Sequence, residues 1–105
     1  RVLGTVISRP EAGLAWLDVG QKAIGIDMGL PAVDDVDGVT VMSMSAEHGG
    51  LTLESDAGEA LDLGDKVWLT PRDIGGCVNL YDYINGVRNG RLEAVWDIEA
   101  RGRYR

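Results

Sequence analysis

The segment VTVMSMS, residues 39–45, alternates strictly, with Val39, Val41, Ser43 and Ser45 on one face and Thr40, Met42 and Met44 on the other. A period of two predicts a β-strand, because successive side chains leave opposite faces of the pleat. RVLGTVISRP (1–10) mixes β-branched and small residues and stops at Pro10, which predicts an opening strand. After a turn at EAG, LAWLDVG (14–20) reads as a short strand with Leu14, Trp16 or Leu17 facing a core. QKAIGIDMGLP (21–31), broken by Gly25, Gly29 and Pro31, reads as irregular, and DDVDG (34–38) as an acidic turn. AEHGG interrupts the pattern before LTLES (51–55) resumes it. DAGEALDLGD (56–65) is polar and glycine-punctuated, and KVWLT (66–70) is a short strand ending at Pro71.

The strongest local signal lies in the final third. Asn89-Gly90, the preferred two-residue hairpin turn, stands between the alternating segments YINGVR and RLEAVWDIEA. Beyond it Leu92, Ala94, Trp96 and Ile98 face one way and Arg91, Glu93, Asp97 and Glu99 the other, with Val95 the apolar exception. A half-buried strand is expected there. No segment of a dozen residues has helical periodicity, and a single helical turn is expected around residues 78–82. The fold class that follows is all-β: a small barrel-like domain of about seven short strands with a C-terminal hairpin, closed or covered so that its edges are protected.

Composition sharpens this picture. Glycine occurs 15 times, about twice the usual share, which suits tight turns and bulges, and Phe is absent. Residues 1–105 are enough for one domain whose core needs no disulfide or metal. The net charge of −7, from carboxylates spread along the chain, excludes the basic footprint of a nucleic-acid binder. No apolar run approaches the ~20 residues of a membrane helix, so no membrane partner is expected. The lone Cys77 has no internal disulfide partner, and a cytoplasmic location is expected. The chain opens at Arg1 and runs directly into a strand, which reads as a piece of a longer polypeptide.

Few residues offer chemistry. His48, the only histidine, sits in SAEHGG at a strand end. It is either a solvent-facing loop residue or an acid–base group beside a Gly-Gly pair that lets a ligand approach the backbone. With no second histidine, a His-based metal site within this chain is not expected. The stretch TPRDIGGCVNLYD (70–82) looks like a loop built around a site. Asp73 and Cys77 in it supply two donors where zinc sites use three or four, and Cys77 reads equally well as a small buried hydrophobe. The chain has no Walker loop and no GxGxxG. Its residues alone describe a small acidic β domain with one suspicious corner, formed by His48 and the 71–79 loop.

At that corner a resemblance enters. AWLDVGQKAI, SAEHGGL, LGDKVWLTP, CVNLYD and VWDIEARGRY resemble, in order, the C-terminal domain of D-threonine aldolase and D-serine dehydratase-like enzymes. These are pyridoxal-phosphate enzymes of the alanine racemase fold group. The resemblance implies an N-terminal α/β barrel, absent here, that holds the cofactor through a lysine Schiff base and a phosphate cup. This β domain would pack over the open side of the cofactor, bind none itself, wall the site and exclude water. A homodimer and a small D-amino acid substrate are implied too.

In metal-dependent members the segment after the proline reads like P-x-H-x-C-x-T-V-N-L or P-x-H-x-D, and its histidine and second ligand bind a divalent ion. Here Asp73 stands at the histidine position, Gly75 at the second-ligand position and Cys77 at the threonine position, while Val78, Asn79 and Leu80 match. The metal is therefore expected to be absent or altered, with Asp73 and Cys77 as a rearranged alternative and Asn79 as a substrate-side residue. His48, in the matching EHG, becomes the candidate catalytic group. Dehydration with deamination of a small D-amino acid is the expected chemistry. An aldolase of the same family, or a non-catalytic ligand-binding β module, is the alternative.

Overall fold

A computed structural model describes residues 1–57 and 60–103. Part of the polar segment 56–65 and Tyr104 of VWDIEARGRY lie outside the described residues. The elements are β1 (Val2–Glu11), β2 (Leu14–Leu17), α1 (Gln21–Ile24), β3 (Ala32–Asp34), β4 (Val39–Met44), β5 (Gly49–Leu53), β6 (Lys66–Thr70), α2 (Ile74–Val78), β7 (Tyr83–Arg88) and β8 (Arg91–Asp97). Six strands form one antiparallel sheet in the order β3-β6-β1-β2-β5-β4. Its two end strands, β3 and β4, lie beside each other, so the sheet curls nearly shut around the core. β7 and β8 form a separate two-stranded ribbon. The all-β, barrel-like expectation holds, with one more strand than expected among the described residues: β3 falls just after the segment read as irregular.

The core is made by alternation. Val6, Leu17, Leu51, Val67 and Leu69 point inward from β1, β2, β5 and β6, joined by Ile24 of α1, and all are essentially inaccessible. Each such side chain contributes about 1.5–3 kcal/mol by leaving water. The alternation fails in β4, where a bulge between Val41 and Ser43 makes Met42 an extra residue. A bulge shifts side-chain parity by one. Val39, Val41 and Met44 therefore face the core, while Ser43 is exposed instead of sharing the face of Val41.

Three other expectations are corrected. The helical turn is α2, at 74–78, earlier than expected, because the Asp73 carboxylate accepts from the Gly76 N–H at 3.1 Å and starts the helix there. The Gly49-Gly50 pair does not interrupt the sheet; it is the first part of β5, paired with β2 and β4. The strand β8 is not half-buried. Leu92, Val95 and Trp96 are each more than half exposed, because the ribbon stands off from the barrel instead of joining its sheet. Asn89-Gly90 does make the turn, with φ of 50° and 73°. Across the ribbon the Trp96 ring lies directly over Gly86, where a Cβ would stand 2.5 Å from it.

Candidate functional site

His48 sits in the turn between β4 and β5, and the turn is tied by its own backbone. The Ser45 N–H donates to the His48 carbonyl at 2.8 Å, and the His48 N–H donates to Ser45 Oγ at 3.1 Å. The imidazole is left exposed. The helix α1 clamps this turn from outside. The Gln21 and Lys22 N–H groups donate to the Ser45 and Ala46 carbonyls at 2.8 and 3.2 Å. The Gln21 side-chain amide donates to the Met44 carbonyl at 2.8 Å, and Lys22 forms an ion pair with Glu47. That pair holds the Glu47 carboxyl below its ordinary range and the Lys22 ammonium above its own, first through the hydrogen bond and then through the charge.

The glycines here serve packing within the chain. A Cβ on Gly20 would stand 2.5 Å from the Ala46 carbonyl oxygen, so only glycine admits α1 this close to the turn. At Gly49 the space is taken by the Val19 carbonyl and the Met44 side chain, and at Gly50 by Met42, Ser43 and Trp16. The Gly-Gly pair therefore does not open the backbone to a ligand. Its own neighbours fill the room that an added side chain would need.

The other face of α1 meets the 71–82 loop. Cys77, buried on α2, directs its thiol toward the Ala23 carbonyl at 3.9 Å, and the Tyr81 hydroxyl donates to the same oxygen at 2.5 Å. Burial pushes the Cys77 thiol up, with a smaller push from the Asp73 carboxylate; burial raises the Tyr81 phenol as well. Asp73 is exposed and caps α2, and Asn79 is exposed at the C-terminal end of that helix. The structure thus attaches both halves of the predicted corner to α1, the His48 turn through Gln21 and Lys22 and the loop through Ala23.

Neither a metal nor pyridoxal phosphate fits these residues. Cys77 is buried with its thiol turned toward the Ala23 carbonyl, and Asp73 is exposed and spends an oxygen on its helix cap. No three His, Cys, Asp or Glu side chains converge to hold an ion among the described residues. A Schiff-base lysine must lose its proton near neutral pH. Lys22 is held protonated by Glu47, and Lys66 donates to the Thr5 hydroxyl at 2.7 Å.

Sequence reasoning missed α1 and Tyr81. Four residues are too few for helical periodicity, although Gly20 followed by QKAI marked a place where the chain had to approach something closely. Tyr81 stands in CVNLYD without a motif that marks it; its usable signal is that a partly buried tyrosine seeks a hydrogen-bond partner.

The comparisons with known proteins agree on one family. The family model described as "Putative serine dehydratase domain" matches residues 1–87. The 3-hydroxy-D-aspartate aldolase of Paracoccus denitrificans is 38% identical over 102 residues, which is 97% of this chain and 26% of that protein. The D-threonine aldolase of an Arthrobacter species is 38% identical over 96% of this chain, again 26% of its own length. The crystal structure of D-threonine aldolase from Filomicrobium marinum superposes with a TM-score of 0.89 at 36% identity, covering 98% of this chain and 28% of that one. The chain therefore spans about a quarter of the length of the relatives it matches.

Proposed function

Because the chain belongs to the D-serine dehydratase-like family, we propose that these 105 residues are the C-terminal, active-site-covering domain of a pyridoxal-phosphate-dependent lyase acting on a small β-hydroxy D-amino acid. An N-terminal α/β barrel of the same polypeptide would hold the cofactor, which supplies electron withdrawal at the substrate Cα. A cytoplasmic homodimer completes the proposal. The observation that carries this reading is the 38% identity to two aldolases along almost the whole domain, coupled to a span of only 26% of each.

The domain's own contribution would be positional. The exposed imidazole of His48, on a turn held rigid by α1, could hold or move a proton at the substrate's β-hydroxyl. Asn79, exposed at the end of α2, would face the substrate side. No step is assigned to a metal at Asp73 and Cys77.

Two reactions share that substrate. Retro-aldol cleavage removes the β-hydroxyl proton and breaks the Cα–Cβ bond; elimination protonates the hydroxyl and releases it as water. The names of the relatives at 38% identity favour cleavage. The family description and the altered 73–77 loop favour elimination, the preference drawn from the sequence. Product analysis of the complete polypeptide with pyridoxal phosphate and D-threonine separates them. Glycine with acetaldehyde indicates cleavage, and 2-oxobutanoate with ammonia indicates elimination. Neither product from D-threonine, D-serine or 3-hydroxy-D-aspartate would reject the lyase reading.

A further inference from the structure

The ribbon β7–β8 is the part of this domain that its own sequence leaves unfinished. A two-stranded ribbon is marginal in water unless another layer covers it. Here Val87, Leu92, Val95 and Trp96 are all more than half exposed. Between the ribbon and the barrel runs a groove of about 720 Å³. One wall is Leu3 and Trp68 on the outer face of the sheet with Ile74 and Val78 of α2; the other is Ile84 and Val87 of β7. Of all the residues lining it, only Arg1 is charged, in a chain whose net charge is −7.

We propose that this groove seats an apolar segment of the same, longer polypeptide, which runs between ribbon and barrel and continues over Leu92 and Trp96. The proposal rests on the preceding reading only in taking these residues as part of a longer chain, as the 26% span of the relatives indicates. Three observations select this occupant. A small molecule could fill the groove, whose volume is in the ordinary ligand range, but would leave β8 bare, since none of Leu92, Val95 and Trp96 lines it. A second copy docked by this domain would bring another −7 against a chain already acidic, at a cost in repulsion, so the homodimer proposed above would form through other parts of the polypeptide. A tethered segment meets neither obstacle and binds at the high effective concentration of an intramolecular contact. In this arrangement the ribbon is a clamp gripping the rest of the polypeptide, and the His48 corner is aimed by that grip.

Hydroxyl-radical footprinting of the complete polypeptide, over a range of protein concentrations and without ligand, tests this. Trp96 and Tyr83, 58% and 54% exposed in the isolated domain, are expected to label several-fold more slowly than that exposure allows, at every concentration. Met28, at 72% exposed, is the internal standard for free access. A Val87→Glu variant, altering a side chain that faces solvent here, is expected to restore fast labelling of both residues. Free labelling in the parent protein, protection lost on dilution, protection that appears only with added ligand, or protection unchanged by Val87→Glu would each overturn the proposal. The readout needs no turnover: an active lyase with an open groove refutes the clamp alone, and a protected groove without activity refutes the lyase reading alone.

Discussion

Tyr81 and Ala23 are joined by a 2.5 Å hydrogen bond, hydroxyl to carbonyl, across 58 residues of sequence. This bond and the neighbouring Cys77 contact fasten the 71–82 loop to α1, which also clamps the turn carrying His48. The corner is therefore one mechanical unit with α1 as its hinge pin.

Removing that hydroxyl with Tyr81→Phe is expected to cost about 0.5–1.5 kcal/mol, the net worth of one such bond, with the low end favoured because Tyr81 is partly exposed. Amide exchange should quicken across residues 74–81 while the strand amides of β1 and β2 keep their protection. Urea unfolding with exchange mass spectrometry measures both.

Gly20→Ala tests the other side of α1. The backbone at Gly20 is extended, with φ −127°, so the added methyl brings no conformational strain of its own. It would meet the Ala46 carbonyl at 2.5 Å and force α1 off the turn. A loss of about 1–3 kcal/mol, typical of overpacking, is expected in the unfolding midpoint.

Asp73→Ala separates a cap from a metal ligand. Losing the bond to the Gly76 N–H should cost about 1 kcal/mol. The metal content of the complete polypeptide, read by plasma mass spectrometry, should stay unchanged. Stoichiometric zinc that vanishes in Asp73→Ala or Cys77→Ala would restore the rearranged metal site.

Cys77 carries a pH signature. Burial, aided by the Asp73 charge, raises its folded pKa above that of an unfolded thiol. The folded state thus binds the thiol proton more tightly, which contributes stability below the unfolded thiol pKa, about 8.5. That contribution is lost as pH rises through the folded value. Unfolding free energy should therefore fall between neutral and alkaline pH more steeply in the parent than in Cys77→Ala, and a thiol reagent should react slowly at pH 8. Tyr81 titrates in a higher window and owes part of its own upward push to the Cys77 charge, so the two curves are compared below the range of the phenol.

For His48, replacement by Gln in the complete polypeptide should reduce turnover about a hundred-fold or more, within the range of acid–base catalysis, while cofactor affinity is kept. Equal turnover would leave His48 as a surface residue. Because the imidazole is exposed and its turn is held by main-chain groups and the Ser45 hydroxyl, the fold should be unaffected.

Much of this was legible in advance because alternation and turn chemistry are local. Asn89-Gly90 demanded positive φ, and KVWLT had to be a strand. What escaped depended on distant partners. The parity shift in β4 comes from how Val41 and Ser43 register against Leu51 and Gly50, which no window around Met42 contains. The short β3 owes its existence to pairing with β6, and α1 to carbonyls at 45 and 46. The exposure of β8 could not be read from its pattern, because alternation says that a face wants cover and not whether this chain provides it. At the site, residue type identified His48 and Cys77 as worth watching, but the pull of Ala23 on both the thiol and Tyr81 is a tertiary fact.

The turn beneath His48 is bound to α1 largely through peptide groups: two N–H donors of the helix, two carbonyls of the turn and a glycine that lets them meet. Peptide groups are common to every residue type but proline, which lacks the N–H, so Ala46 and His48 can be exchanged without rebuilding the mount that displays them, while Glu47 also supplies the ion pair to Lys22. A corner of this design suits laboratory retargeting: new acids, bases or ligands can be installed at those positions and the scaffold will still deliver them to the same place.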